Sequence, residues 1–413
     1  MNILHVVPSF VPCLAAGGVV NASYQIAKKQ VELGHNVTVY TTDTCINRLK
    51  FENNYNVNQD GICVYYFKNI SNSVKNKFTI DTPRGLKKHL KENIKNFDII
   101  HIHEHRHSLA ILTHKYAMKY NIPYIIQSHG SVLPFFQKQS IKNIFDKLWG
   151  FNILHDASKA FALTPIERDQ YLKMGIKKEN IEIVPLGINL EEYNHLPKKN
   201  NFKKKNDIND EKLLIFIGRW NKIKGLDLLI NAFNDFLKNT NLKVKLAIIG
   251  PDNGFEGNIR KLIKEYNLKE NIILTGPLYK KDKLEALVDC DAFIMPSQYE
   301  SFTTSGLEAM ATSKPLILTE CNHISTWVNN NCGLSCKYDI KSLSNAMNKL
   351  LNNKKLMETY GENGRKLIEK EYNWDNIVSK IIKIYGNIIN ENIKNWIKSK
   401  IFKKILIIKN KNR

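Results

Sequence analysis

Two carboxylates eight residues apart, Glu300 and Glu308, lie in the stretch PSQYESFTTSGLEAMATSKPLI at positions 296–317. A strand-like run, AFIMPS, leads into them and another, PLILT, follows. In an open α/β sheet, ligands gather beyond the carboxyl ends of the strands, where loops hand over to helices. Carboxylates fixed there accept hydrogen bonds from vicinal hydroxyls, and their charge makes those bonds stronger than neutral ones. The helix expected just after Glu300 adds free backbone N–H groups for an anion such as phosphate. A sugar joined to a nucleoside diphosphate presents both kinds of group. The same residues also carry a purely local reading. Ser305-Gly306-Leu307-Glu308 has capping-box spacing, in which Glu308 would only close a helix start.

Basic and flexible residues recur at other strand ends. Gly218-Arg219 close the run KLLIFIGR, and Lys224-Gly225 open the helical pattern after it. A diphosphate held there would meet a forked guanidinium and a point charge. Against this stands the ordinary solvated pair of surface cations. Gly17-Gly18 precede the helical pattern VVNASYQIAKKQVELG, where a bare backbone and a helix start suit an anion. His129-Gly130 end the run PYIIQSHG; a neutral imidazole there suits a sugar hydroxyl or phosphate, or serves the fold alone. His101, His103, His105 and His107 alternate in HIHEHRH. On an extended strand all four would share one face, which admits zinc. Metal sites usually draw on several segments, so the preferred reading is that His103 and Glu104 line a cleft. No G-x-G-x-x-G, P-loop or serine nucleophile elbow is present, which argues against a nicotinamide dehydrogenase.

These residues need strands and helices in alternation to hold them. MNILHVVPS, NVTVYTT, FDIIHIH, PYIIQSHG, KAFALT and IEIVPLG supply short apolar runs in the first half, and KLLIFIGR, KVKLAIIG, NIILTG, AFIMPS and PLILT in the second. Helical patterns separate them, which predicts parallel sheets built from βαβ units. The 413 residues, 43% hydrophobic and 24% charged, suffice for two cores. The expected fold is two doubly wound Rossmann-like domains facing across a cleft, the default ligand site. Residues 1–187 form the first, 188–370 the second, and 371–413 C-terminal helices. The lysine-rich stretch 196–212 reads as a linker or surface loop. The net charge of +22 favours acidic partners, whether phosphates, anionic headgroups or nucleic acid, although no nucleic-acid module is evident. Seven scattered cysteines without a C-x-x-C pair predict reduced thiols in a cytoplasmic setting. No leader or membrane span is expected. Residues 391–413 carry eight Lys/Arg against one Glu, with Ile393, Ile397, Ile401, Ile405 and Ile408 at helical spacing beside Trp396 and Phe402. Such a basic amphipathic helix suits the cytoplasmic face of an anionic membrane, or docks on the protein with its lysines in water.

Taken together, these motifs resemble the family 4 glycosyltransferases, retaining hexosyltransferases of the two-domain GT-B fold. The likeness runs over nearly the whole chain. It includes the Gly17-Gly18 loop, DIIHIHE, SHG and EIVPLGIN, and most specifically GRWNKIKGLDLLINAF and ESFTTSGLEAMATSKPLI. It implies a nucleotide-sugar donor and a glycan or lipid-linked acceptor, in cell-surface polysaccharide or glycolipid synthesis. Arg219 and Lys224 would neutralise the diphosphate, Glu300 would bind donor-sugar hydroxyls, and Glu308 the ribose. The backbone of Phe302, Thr303 and Thr304 would contact phosphate or sugar. Gly17 and Gly18 would lie beside the phosphates, His129 near the transferred sugar, and Leu278 by the base. His129, Glu300, Arg219 and Lys224 would form the catalytic set. The last long helix would cross back onto the first domain. Glycine is frequent in the family where Thr303 stands, and a β-branched residue there narrows the backbone. No Asp-x-Asp motif is present, so activity without a metal is expected. Rival readings are a nucleotide-sugar epimerase or phosphorylase of similar fold and, from another class, a basic nucleic-acid-binding protein.

Overall fold

The computed structural model describes residues 1–13, 17–45, 48–50, 56–70, 81–135 and 138–411, with side chains as far as Lys398 in the last helix. Two compact units divide the chain, Met1–Val184 with Asp375–Arg413, and Pro185–Trp374.

The first unit is built on β1 (Asn2–Val6), β2 (Asn36–Thr42), β3 (Asn56–Gln59), β4 (Ile62–Phe67), β5 (Ile99–His103), β6 (Tyr124–Gln127), β7 (Lys159–Ala162) and β8 (Ile181–Ile183). Their order in the sheet is β3-β4-β2-β1-β5-β6-β7-β8. β3 pairs antiparallel with β4, and the other pairings are parallel. The direction of winding reverses between β1 and β5. Side chains alternate between the faces of a strand. Leu4, Val6, Ile100 and Ile102 accordingly enter one apolar core. His5 and His101, in register across the β1–β5 pair, occupy the intervening positions and are fully buried. Helix α1 (Gly18–Glu32) follows β1, α2 (Ser108–Tyr120) follows β5, and α3 (Pro165–Lys173) follows β7.

The second unit has six parallel strands: β9 (Lys212–Ile217), β10 (Val244–Ile249), β11 (Ile272–Gly276), β12 (Ala292–Met295), β13 (Leu316–Thr319) and β14 (Gly333–Cys336). They are ordered β11-β10-β9-β12-β13-β14, so this sheet reverses between β9 and β12. Helices α4 (Leu226–Lys238), α5 (Lys280–Asp289) and α6 (Thr304–Ala311) follow β9, β11 and β12. The final helix, α7 (Trp374–Lys411), belongs from Asp375 onward to the first unit. There the Tyr385 hydroxyl meets His101, and the Lys380 ammonium donates to the Ile183 carbonyl at 2.7 Å.

Three features depart from the sequence reading. The lysine-rich stretch 196–212 is docked on the second unit. Phe202 is buried, and the Asp289 carboxylate accepts from the backbone N–H groups of Asn200, Phe202 and Lys203. Cys13 and Cys45, in the loops after the adjacent strands β1 and β2, form a disulfide, against the expectation of reduced thiols throughout. Their separation of 32 residues hid a proximity that only strand pairing creates. The amphipathic tail continues the preceding helix unbroken. Ile393, Trp396 and Ile397 are exposed on it, whereas Ile401, Phe402, Ile405 and Ile408 lie outside the described side chains. No described helix is long and apolar enough to cross a membrane.

Candidate functional site

In doubly wound sheets, ligands bind outside the carboxyl ends of the strands where the order reverses. In the second unit that point lies between β9 and β12; the segments after these strands carry Arg219, Lys224 and Glu300, and α6, which follows β12, carries Glu308. Three local devices shape them. The Asn221 side chain accepts from the Lys224 N–H at 3.1 Å, closing a single turn. Gly225 then takes a left-handed φ of 68° against the Pro296 carbonyl, where an added Cβ would collide. This contact carries Lys224 alongside the loop after β12. Finally, the Ser305 hydroxyl donates to the Ile217 carbonyl at 3.0 Å, pinning the start of α6 to the end of β9.

The charged groups pair across these loops. The Lys224 ammonium contacts the Glu300 carboxylate, both largely shielded. Lys283 donates to Glu308 at 2.7 Å. Arg219 is exposed, with no side-chain partner among the described residues. The capping-box reading of Ser305 and Glu308 is overturned. Thr303 is the N-cap, its hydroxyl accepting from the Gly306 N–H at 3.2 Å, so Glu308 sits beyond capping reach and pairs with Lys283 instead. The helix accordingly begins at Thr304, later than a start directly after Glu300. Phe302 is buried, near the Tyr372 ring. Leu278 lies two residues beyond β11 and is half-buried.

The first unit reverses between β1 and β5. Gly17 has φ 108° at the start of α1, a backbone suited to glycine, and Gly18 opens the helix with empty space where a Cβ would stand. α1 has no side-chain cap among the described residues and no acid in its first turn, a helix start whose N–H groups suit an anion. His129, half-buried after β6, holds a left-handed φ of 51°, a conformation sparsely used outside glycine and typical of functional loops. Glu167 of α3 fixes that loop. Its two carboxylate oxygens accept from Gly130 and Leu163 N–H, each at 2.6 Å. Burial pushes this carboxyl up to about 7.

The four-histidine face does not form. β5 ends at His103, so only His101 and His103 share a face. His105 turns to Ser128 and Asp146, and His107 becomes the N-cap of α2, accepting from the Ala110 N–H at 3.2 Å. His103 is fully buried and lines no surface; it reaches outward through His129, 2.9 Å away between ring nitrogens. Sequence reasoning missed His5, Gln30, Tyr385, Glu167 and Lys283. A signal existed for His5, a lone imidazole at an inward position of an aliphatic strand. Another existed for Glu167, in Thr-Pro-Ile-Glu at a helix start. A concavity of about 600 Å³ bounded by Tyr65, Phe67, Arg84 and His89 lies at β4 and is lined by none of these residues.

Two family models match the chain, glycosyltransferase family 4 over residues 16–192 and glycosyl transferases group 1 over residues 197–367. An uncharacterised glycosyltransferase of Methanocaldococcus jannaschii is 25% identical over 257 residues, 61% of this chain and 64% of the relative. The poly(ribitol-phosphate) α-N-acetylglucosaminyltransferase of Staphylococcus aureus is 24% identical over 360 residues, 86% of this chain and 63% of the relative. The chain thus spans less than two thirds of the length of these relatives. Anabaena HepE in complex with UDP superimposes with a TM-score of 0.75 at 16% identity, covering 94% of this chain and all of that one. The fold is that of the GT-B glycosyltransferases.

Proposed function

The chain belongs to glycosyltransferase family 4, and on that footing we propose that it moves a hexose from a nucleoside diphosphate donor to a glycan or lipid-linked acceptor, with retention at the anomeric carbon. The observation that carries this reading is the grouping of Arg219, Lys224–Glu300 and Lys283–Glu308 at the reversal point of the second sheet. Alternating cations and carboxylates there match a ligand that is diphosphate at one end and polyol at the other.

Each residue then has a task. Arg219 and Lys224 neutralise the departing diphosphate, and the Thr304 end of α6 adds backbone donors to it. Charge stabilisation of a leaving group at pre-aligned donors is commonly the largest catalytic contribution. Glu300, released from Lys224 as the phosphate takes that ammonium, accepts from sugar hydroxyls. Glu308 accepts from the ribose hydroxyls, and Leu278 packs on the base. In the first unit, the acceptor side, His129 accepts from a sugar hydroxyl and the start of α1 receives phosphate at Gly17 and Gly18. Bond breaking builds oxocarbenium character at the anomeric carbon. The acceptor attacks from the face the phosphate leaves, and its proton passes to a phosphate oxygen. The cations replace a divalent metal in this scheme, so EDTA leaves turnover intact. The UDP bound by Anabaena HepE makes uracil the first base to try.

The exposed Ile393, Trp396 and Ile397, interleaved with Lys394 and Lys398, support peripheral contact with the cytoplasmic face of an anionic membrane. This agrees with acceptors of cell-surface polysaccharide or glycolipid synthesis. The test is thermal unfolding with UDP, GDP, ADP, TDP and their sugar conjugates, since a ligand of the folded state raises the midpoint. A shift with one base, lost in Glu308→Ala, is expected. A folded protein that responds to none of them overturns the reading.

A further inference from the structure

A line of hydrogen bonds runs through the first unit behind His129. Nε2 of His129 lies 2.9 Å from Nδ1 of His103. Nε2 of His103 lies 2.9 Å from Nδ1 of His5. Nε2 of His5 lies 2.7 Å from Oε1 of Gln30 on α1. His5, His103 and Gln30 are fully buried, and the three imidazoles follow one another edge to edge, their planes tilted by only 16° and 20° and their centres 5.2 Å apart at each step.

Such a line has a direction. A neutral imidazole carries one proton, so one ring nitrogen donates and the other accepts. The Gln30 carbonyl oxygen only accepts, which places the His5 proton on Nε2. Nδ1 of His5 must then accept, so His103 carries its proton on Nε2. The same step puts the proton of His129 on Nε2 and leaves its Nδ1 bare. Turning the Gln30 amide over would reverse every member together. Burial keeps the line uncharged. The pKa of His5 is pushed down to about 4 and that of His129 to about 3, and His103 falls well below the ordinary range. The neighbours are His101 on β5, His107 at the start of α2, and Tyr385 on α7, whose hydroxyl lies 2.7 Å from Nδ1 of His101.

We propose that Gln30, His5 and His103 are positioning residues that fix the tautomer of His129, presenting its Nδ1 as a hydrogen-bond acceptor for a substrate hydroxyl. The part played by the substrate rests on the reading above; the tautomer does not. A buried metal is the competing use, because His5, His101 and His103 bring ring nitrogens within 4.8 Å of one another. It fits less well. Both nitrogens of His5 and both of His103 are already within hydrogen-bond distance of a partner along the line, so a metal would have to displace those contacts.

The experiment is two-bond ¹H–¹⁵N correlation on the full chain labelled at histidine, which reads each tautomer directly. In the unsubstituted protein His5, His103 and His129 are expected with Nε2 protonated, each in at least about tenfold excess, as an unmade buried hydrogen bond would enforce. In Gln30→Met, His129 is expected to become a mixture of tautomers, although residue 30 does not touch it. Nδ1 protonation of His129 in the unsubstituted protein overturns the proposal and needs no variant to fold. An unchanged His129 spectrum in a folded Gln30→Met protein overturns it too, as does one equivalent of zinc retained through dialysis and lost in His5→Phe. If the tautomers are as expected but no nucleotide-sugar binds, the relay stands and the transferase reading falls.

Discussion

At the scale of single residues, Arg219 separates function from stability most cleanly. Its side chain is exposed and unpartnered among the described residues, so Arg219→Ala should leave the free energy of urea unfolding within about 0.5 kcal/mol of the parent. A charge-assisted bond to phosphate is worth about 1.5–3 kcal/mol, so kcat/KM for donor turnover should fall roughly 10- to 100-fold. Equal turnover in the variant would remove Arg219 from the site. The buried titratable groups set a second expectation, in the pH dependence of stability. Burial lowers His5, His105 and His323 from 6.5 to about 4 each. Between pH 6.5 and 4 the unfolded chain binds protons that the folded state refuses, so stability falls as pH falls. Glu167 works the other way. Raised from 4.5 to about 7, it keeps a proton that the unfolded chain releases, and its contribution declines as pH rises through that window. The histidines outnumber it, so urea unfolding should show a loss of at least about 2 kcal/mol between pH 7 and pH 5. A flat profile would mean that these imidazoles titrate normally in the folded protein.

At the scale of elements, α6 depends on one hydroxyl. Thr303→Ala removes the cap and should cost about 1 kcal/mol, whereas Thr303→Gly should cost only a few tenths, because glycine tolerates the cap position. Equal losses in chemical denaturation would show that packing of the Thr303 methyl against Gly306, not the cap, stabilises this turn. The same helix shows what the sequence could and could not convey. Aliphatic runs mark β1, β5, β9, β10 and β12 because a buried parallel strand needs apolar residues on both faces. Three strands escape that signal. β3 (NVNQ) is polar and at the edge, β14 (GLSC) is four residues long, and β4 (ICVYYF) mixes buried with half-buried positions. Strand ends also located Arg219, Lys224, Glu300 and Glu308. Their partners were not legible. Lys283 reaches Glu308 from another helix, and Gln30 reaches His5 from α1, contacts between segments that no local spacing encodes. The four alternating histidines misled for a related reason. Period-two spacing describes one face only while the strand lasts, and β5 stops at His103.

At the scale of the whole molecule, the net charge of +22 acts through its placement. α7 begins as a packed element, with Tyr385 fully buried against His101, and ends as a basic one. Its exposed Ile393, Trp396 and Ile397 share the helix with Lys394 and Lys398, and beyond the described side chains the sequence adds more lysine and isoleucine. Elsewhere in the first unit Ile141, Ile144, Leu148 and Trp149 are exposed beside Lys142 and Lys147. Apolar side chains kept in water beside lysines suit an interface that is apolar inside and negatively charged outside. Each lysine near such a surface contributes about 1 kcal/mol, and the contribution is screened by salt. The full chain should therefore sediment with vesicles containing phosphatidylserine and less with neutral phosphatidylcholine vesicles, and added salt should weaken the binding. A chain ending at Asn390 should keep its nucleotide-induced thermal shift and lose most vesicle binding. Retained binding would move the contact to the exposed residues at 141–149, and a further variant with Ile144, Leu148 and Trp149 replaced by serine would then release the protein. Release by neither change would leave the charge to serve phosphate-bearing substrates alone.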